Sequence, residues 1–244
     1  MSTPQRVALV TGGSRGIGRA VAARLAADGL AVAVVYRSQQ AEADAVVAEV
    51  VAAGGQALAL RADVADETEV AAAFDAAEAA FGGVDVVVHA AGLMILQPVV
   101  DLDLDALDRM HRTNIRGTFV VDREAARRVR AGGAIINLST SVTRLALPTY
   151  AAYAASKGAV DAISLVLAKE LRGRDITVNA VAPGPTATEL FLDGKDDATV
   201  ERLAQANPMG RLGTPEDTAE VVSLLAGRGR WVNGQTVYVN GGMA

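Results

Sequence analysis

"RVALVTGGSRGIG", Arg6–Gly18, decides how the rest of the chain reads. Val7–Val10 form an unbroken apolar run that stops at Thr11-Gly12-Gly13. Such runs suit strands covered on both faces. "GRAVAARLAADG" follows as a helix closed by Gly29. Between the two, Gly12, Gly16 and Gly18 have the spacing G-x-x-x-G-x-G, with Ser14, Arg15 and Ile17 in the same loop. Glycines let backbone N–H groups approach a pyrophosphate, and a helix N-terminus favours its negative charge. A glycine triplet alone marks many tight turns. A strand before it and a helix after it are the context that dinucleotide binding demands.

The same alternation continues outward. "AVAVVYR", "ALALRADV", "VDVVVHAAG", "AIINLS", "ITVNAVAPG" and "QTVYVNGG" read as further strands. "AEADAVVAEVVAAGG", "ETEVAAAFDAAEAAFGG" and the stretch 151–171 read as helices. The pattern predicts an α/β fold, a Rossmann-like doubly wound parallel sheet with helices on both faces. No low-complexity linker interrupts it, so residues 1–244 are expected to form a single domain. Ligands on such sheets lie beyond the carboxyl ends of the strands, where strand order reverses. The glycine loop, Arg37, Asp63, "HAAG" at 89–92, "LSTS" at 138–141 and "PGP" at 183–185 all follow strands, which predicts one shared site.

Composition narrows the chemistry. The 244 residues are 51% apolar, enough for a sizeable core, and carry a net charge of −5. Arginines are scattered apart from Arg127, Arg128 and Arg130, so a nucleic-acid partner is not expected. Without cysteine there is no disulfide, thiolate metal site or thiol nucleophile. The only histidines are His89 and His111, with no carboxylate at metal-motif spacing, so no metal is expected. The Val7–Val10 run is too short for a signal peptide or a membrane span. A cytoplasmic protein without a membrane partner is the expectation.

The second strand ends at Tyr36-Arg37-Ser38, with no carboxylate to hold a free ribose 2′-OH. Arg37, Ser38, Ser14 and Arg15 suit a 2′-phosphate instead, through charge and forked donors. NADP(H) is therefore expected over NAD(H), which stays possible.

"TYAAYAASK", Thr149–Lys157, holds two tyrosines and one lysine. Tyr153 and Lys157 are i and i+4 and share a helix face, continued by Asp161 and Ser164. Tyr150 has alanine at the matching position. A neighbouring cation lowers a phenol's pKa, which selects Tyr153 as the acid or base.

Together, "TGGSRGIG", "ADV" (62–64), "HAAG", "TNIRGTF" (113–119), "YAASK" (153–157), "VNAVAPGPTAT" (178–188) and "WVNGQTVYVNGG" resemble the short-chain dehydrogenase/reductase family over essentially the whole chain. The resemblance is to its compact branch, similar to 3-oxoacyl-[acyl-carrier-protein] reductases. It implies a seven-stranded sheet and hydride transfer between nicotinamide and a carbonyl or alcohol carbon. By position it implies Tyr153 as general acid/base, Lys157 as the ribose-holding cation and Asn114 as support for a proton-supplying water. It also implies cofactor contacts from Asp63, Val64, Ala90, Ala91, Gly92, Asn114, Tyr153, Lys157, Pro183, Gly184, Thr186 and Thr188. His89 stands where the family usually has a strand-bracing asparagine, and a packed structural role is expected. The family's substrate-orienting serine falls on Thr140 in a gapless register; a one-residue slip selects Ser139 or Ser141, which strand alternation points the other way.

In relatives the segment about 186–214 forms a lid over the substrate. Here Leu190, Phe191, Leu192 and Met209 are expected to line an apolar pocket. The 151–171 helix carries a second apolar stripe, Ala155, Ala159, Ala162 and Val166, which predicts a homo-oligomer, a tetramer in relatives. The leading expectation is an NADPH-dependent carbonyl reductase acting on a small molecule. An alcohol or sugar dehydrogenase and a non-catalytic NADP(H) sensor or scaffold are the alternatives.

Overall fold

A computed structural model describes residues 5–244. The chain alternates strand and helix: β1 (Val7–Thr11), α1 (Gly16–Ala27), β2 (Ala31–Tyr36), α2 (Gln40–Ala52), β3 (Ala57–Arg61), α3 (Glu67–Phe81) and β4 (Val84–His89). After a loop come α4 (Leu104–His111), a π-helical turn over Arg112–Arg116, α5 (Gly117–Arg128) and β5 (Val129–Leu138). Then follow α6 (Val142–Leu145), α7 (Ala151–Glu170), β6 (Thr177–Pro183), α8 (Glu189–Leu192), α9 (Asp197–Gln205), α10 (Pro215–Ala226) and β7 (Thr236–Val239).

The seven strands form one parallel sheet in the order β3-β2-β1-β4-β5-β6-β7. Period-2 alternation splits its side chains between two cores. Val10, Val34, Val88 and Ile136 pack under α1, α2 and α10. Leu9, Val35, Val87 and Ile135 pack under α3, α5 and α7. This is the expected doubly wound architecture. Strand order reverses between β1 and β4, so the loops after them diverge and open a crevice.

Local chemistry sets the helix ends. The Asp66 carboxylate accepts from Thr68 and Glu69 N–H at the start of α3, and Gly82 ends it in the left-handed region. Thr214 and Asp217 form a reciprocal cap on α10 behind Pro215. β5 begins earlier than its apolar run: Val129 pairs with Val84, and Arg130–Gly133 loop out before the ladder resumes at Ala134. Arg127, Arg128 and Arg130 are spent on ion pairs with Glu124, Asp75, Glu78 and Asp85.

Candidate active site

An elongated cleft of about 230 Å³ runs from the α1 N-terminus across the ends of β1 and β4 to α7. The glycine loop lies flat along its wall. A β-carbon on Gly12 (φ +64°) would come within 2.8 Å of the Ala91 backbone, and one on Gly18 would overlap the Gly12 carbonyl oxygen. The floor is braced from beneath: Thr11 Oγ1 and His89 Nδ1 are 2.7 Å apart, and Ala91 N–H donates to the same hydroxyl. Burial, helped by the Lys157 charge, pushes His89 down to about 3, so it is neutral at any physiological pH.

Ser14, Arg15 and Ile17 line the cleft from the loop, with Arg37 and Ser38 beyond β2, Asp63 and Val64 beyond β3, and Ala90–Gly92 beyond β4. Asp63 accepts from Arg112 at 2.8 Å, and Arg15 pairs with Glu189 at 3.3 Å. A helix N-terminus with no side chain in the way, flanked by donors and a carboxylate, fits a dinucleotide.

At the far end α7 turns Tyr153, Ser156, Lys157 and Ser164 inward. Lys157 Nζ donates to the Leu138 carbonyl at 2.6 Å. Burial lowers Lys157 to about 8, against the opposing pull of Asp161. Tyr153 is pushed up to about 12 by burial; the Thr140 hydroxyl beside it acts in the other direction. Asn114 sits in the π-helical turn with its side chain matched to the Leu93 backbone: Leu93 N–H donates to Oδ1 and Nδ2 donates to Leu93 O, both at 2.8 Å. Its Nδ2 also donates to Ser156 Oγ at 3.0 Å. A β-carbon on Gly92 would lie 3.3 Å from Asn114 Oδ1 and 3.5 Å from Lys157 Nζ, so the bare Gly92 lets these groups approach.

Beyond Tyr153 a second cavity of about 110 Å³ opens between β5, α7 and α8, and among the described residues no charged side chain lines it. Its walls include Met94, Leu145, Leu147, Phe191, Leu203 and Met243.

A family profile described as enoyl-(acyl carrier protein) reductase matches residues 12–244. A Picea abies protein, "Short-chain type dehydrogenase/reductase", is 44% identical, with 97% of this chain and 92% of that protein covered. An Arabidopsis thaliana protein, "NADPH-dependent aldehyde reductase-like protein, chloroplastic", is also 44% identical, covering 97% and 93%. A short chain dehydrogenase from Burkholderia cenocepacia, solved in complex with NADP, superposes with a TM-score of 0.92 at 38% identity, covering 99% of both chains. The chain belongs to the short-chain dehydrogenase/reductase family. It is an NAD(P)-dependent oxidoreductase.

Within this short-chain dehydrogenase/reductase, Tyr153 lines both cleft and cavity, and Lys157 lines the cleft. Thr140 lines the cavity beside Tyr153. Ser139 Oγ donates to Lys157 O and Ser141 Oγ to Ala182 O, so both serine hydroxyls are engaged with backbone. Two expectations need correction, the direction of the Tyr153 shift and the apolar lining of the lid. Tyr153 is shifted upward rather than downward, because burial outweighs every favourable contact and Lys157 is held on Leu138 O. Gly184 and Thr186 line the second cavity, and Gly184 packs against Asn240. Asn114 is 1% exposed, with its amide engaged by Leu93 and Ser156. Leu192 and Met209 are exposed; Leu203 and Met243 take their expected place.

Sequence reasoning missed the Leu138 carbonyl, Ser156 and the bracing Thr11. It also missed Met94, Leu147 and Met243 in the cavity. Ser156 was detectable: it sits on the inward stripe of α7 between Tyr153 and Lys157. No local signal marks Met243, which reaches the cavity through the Asn240 and Asn207 hydrogen bonds that fold the tail.

Proposed function

We propose that this chain is an NADPH-dependent reductase of small uncharged aldehydes or ketones. The observation that carries the reading is that Tyr153 lines both the cleft, with Lys157, and the uncharged cavity, with Thr140 beside it. A nicotinamide bound in the cleft supplies hydride to the carbonyl carbon. Tyr153 gives its phenolic proton to the carbonyl oxygen, and the Thr140 hydroxyl donates to that oxygen and fixes its direction. Lys157, with two N–H donors left beside its bond to Leu138 O, would hold the nicotinamide ribose, and its ammonium would favour the tyrosinate that remains. Asn114 supports resupply of the proton by holding the Leu93 turn and Ser156 in place.

Arg37 and Ser38 favour a cofactor carrying a 2′-phosphate. The names of the Arabidopsis relative and the NADP-bound Burkholderia structure support that choice. The segment 186–214 acts as the lid of a single domain, with Leu190 and Phe191 as its apolar face. The outer stripe of α7, with Leu165 and Val166 exposed, is the contact surface of a homo-oligomer in this reading. The working location is the cytoplasm.

The test is a panel of aldehydes and ketones with NADPH, followed by loss of cofactor absorbance. Turnover of uncharged carbonyls is the expected result. Tight NADPH binding with no turnover of any member would replace the reductase by a cofactor-binding sensor.

A further inference from the structure

The reductase reading leaves one polar group of the substrate cavity without a task. Ser139, Ser141, Thr186 and Thr188 each donate to a backbone carbonyl. Thr140 and Tyr153 face one another and are used by the reacting carbonyl. Tyr150, half-buried, also lines the cavity, and among the described residues no protein group hydrogen-bonds its hydroxyl, which keeps contact with solvent. It lies one helical turn ahead of Tyr153, so both phenols share a face. It is close enough that its charge would raise Tyr153 further. Its ring packs into the apolar cluster of Leu93–Leu96, Leu107 and Met110, which leaves the hydroxyl as the ring's only polar handle.

The backbone before it is strained in a way that serves this placement. Ala146 (φ 48°) and Thr149 (φ 72°) are two of the three non-glycine residues with positive φ among the described residues. Left-handed β-branched or alanine residues cost energy and persist where surrounding contacts over-determine them. Thr149 O is held by Gln97 N–H at 3.0 Å, which pins the turn that delivers Tyr150 to the start of α7.

We propose that the substrate is an uncharged carbonyl compound with a second oxygen on the adjacent carbon, an α-dicarbonyl or α-hydroxycarbonyl, and that the Tyr150 hydroxyl donates to that second oxygen. This rests on the reductase reading above. One carbonyl is reduced: its carbon gains hydride from NADPH, its oxygen gains the Tyr153 proton, the C–O π bond breaks, and NADP⁺ is released. The second oxygen is not altered. An apolar cavity without charge accepts such a molecule and disfavours a carboxylate or phosphate at the same position.

The experiment compares kcat/KM for diacetyl and butanone, which share a carbon skeleton and differ by one oxygen, in the wild type and in Tyr150→Phe. Taking the ratio within each protein cancels the greater intrinsic reactivity of the dione. The diacetyl-to-butanone ratio is expected to fall about tenfold in the variant, mainly through KM for diacetyl, as for loss of one neutral hydrogen bond. A ratio that stays the same overturns the assignment. A second measurement needs no variant: butane-diol with vicinal hydroxyls should inhibit butanone reduction by the wild type more tightly than butanol does, and equal inhibition overturns the proposal. If the wild type reduces neither carbonyl while binding NADPH, the reductase reading fails and this inference fails with it. Turnover of both with an indifferent ratio rejects Tyr150 alone.

Discussion

Lys157 Nζ donates to the main-chain oxygen of Leu138 at 2.6 Å, across the gap between α7 and the end of β5. This bond ties the helix that carries Tyr153 to the strand end that carries Thr140. It also gives the buried ammonium one strong acceptor while leaving two N–H donors for other partners. The lysine thus works as a strut between helix and strand.

Tyr153→Phe keeps the ring and removes only the proton donor. Turnover should fall by a factor of about 10² to 10⁴, the usual contribution of a positioned acid. NADPH affinity, read by fluorescence titration, should change little by comparison. A variant that retains wild-type kcat would remove Tyr153 from proton transfer.

Burial holds Lys157 near 8, so the free enzyme loses this positive charge as pH rises through that value. NADPH affinity should therefore weaken from pH 7 to pH 9 more than the buffer alone explains. Lys157→Arg keeps its charge throughout and should flatten that dependence. Isothermal titration at several pH values decides between a sloping and a flat profile.

Arg37 is exposed and enters no ion pair among the described residues, so its charge is available to a ligand. Replacing it with aspartate repels a 2′-phosphate and supplies an acceptor for a free 2′-hydroxyl. The NADPH-to-NADH ratio of kcat/KM should drop by roughly tenfold or more, in line with one charge-assisted bond lost. Steady-state kinetics with both cofactors provide the measurement.

Asp122 is 3% exposed and raised to about 7 by burial, with only the Asn137 amide at 2.9 Å to oppose the shift. Its unfolded pKa lies near 4, so between about pH 4 and pH 7 the native state holds more protons than the unfolded chain. Stability contributed by the neutral acid is therefore present at low pH and lost as pH rises through that window. Asp122→Asn removes the titration and keeps an acceptor for Asn137. Relative to wild type it should gain stability on the order of a few kcal/mol on going from pH 5 to pH 8. Denaturant melts at the two pH values measure the difference.

The sheet was legible because short apolar runs alternate with helical stretches along the chain, although the edge strands β3 and β7 are only half-buried. The glycine loop was legible because a strand and a helix frame it. The helix spacing of Tyr153 and Lys157 was legible from i, i+4 alone. The acidity of Tyr153 was not, because burial depends on contacts far apart in the chain. Asn114 was visible as a motif, but nothing in "TNIRG" announces a π-helical turn or the match to Leu93. Likewise, Asp122 gives no sign in sequence of facing inward; its neighbours Arg123 and Glu124 read as a solvated helix face.

The overlap awaiting any β-carbon at Gly18 has a consequence for heredity. Every single-nucleotide change of a glycine codon that alters the amino acid adds at least one carbon, and even alanine meets the Gly12 carbonyl head-on. In a saturation library this position should form an empty column, while the neighbouring surface arginine Arg19 tolerates most replacements. The fit of this loop can then be lost in one step, with no series of gentler alleles leading down to it.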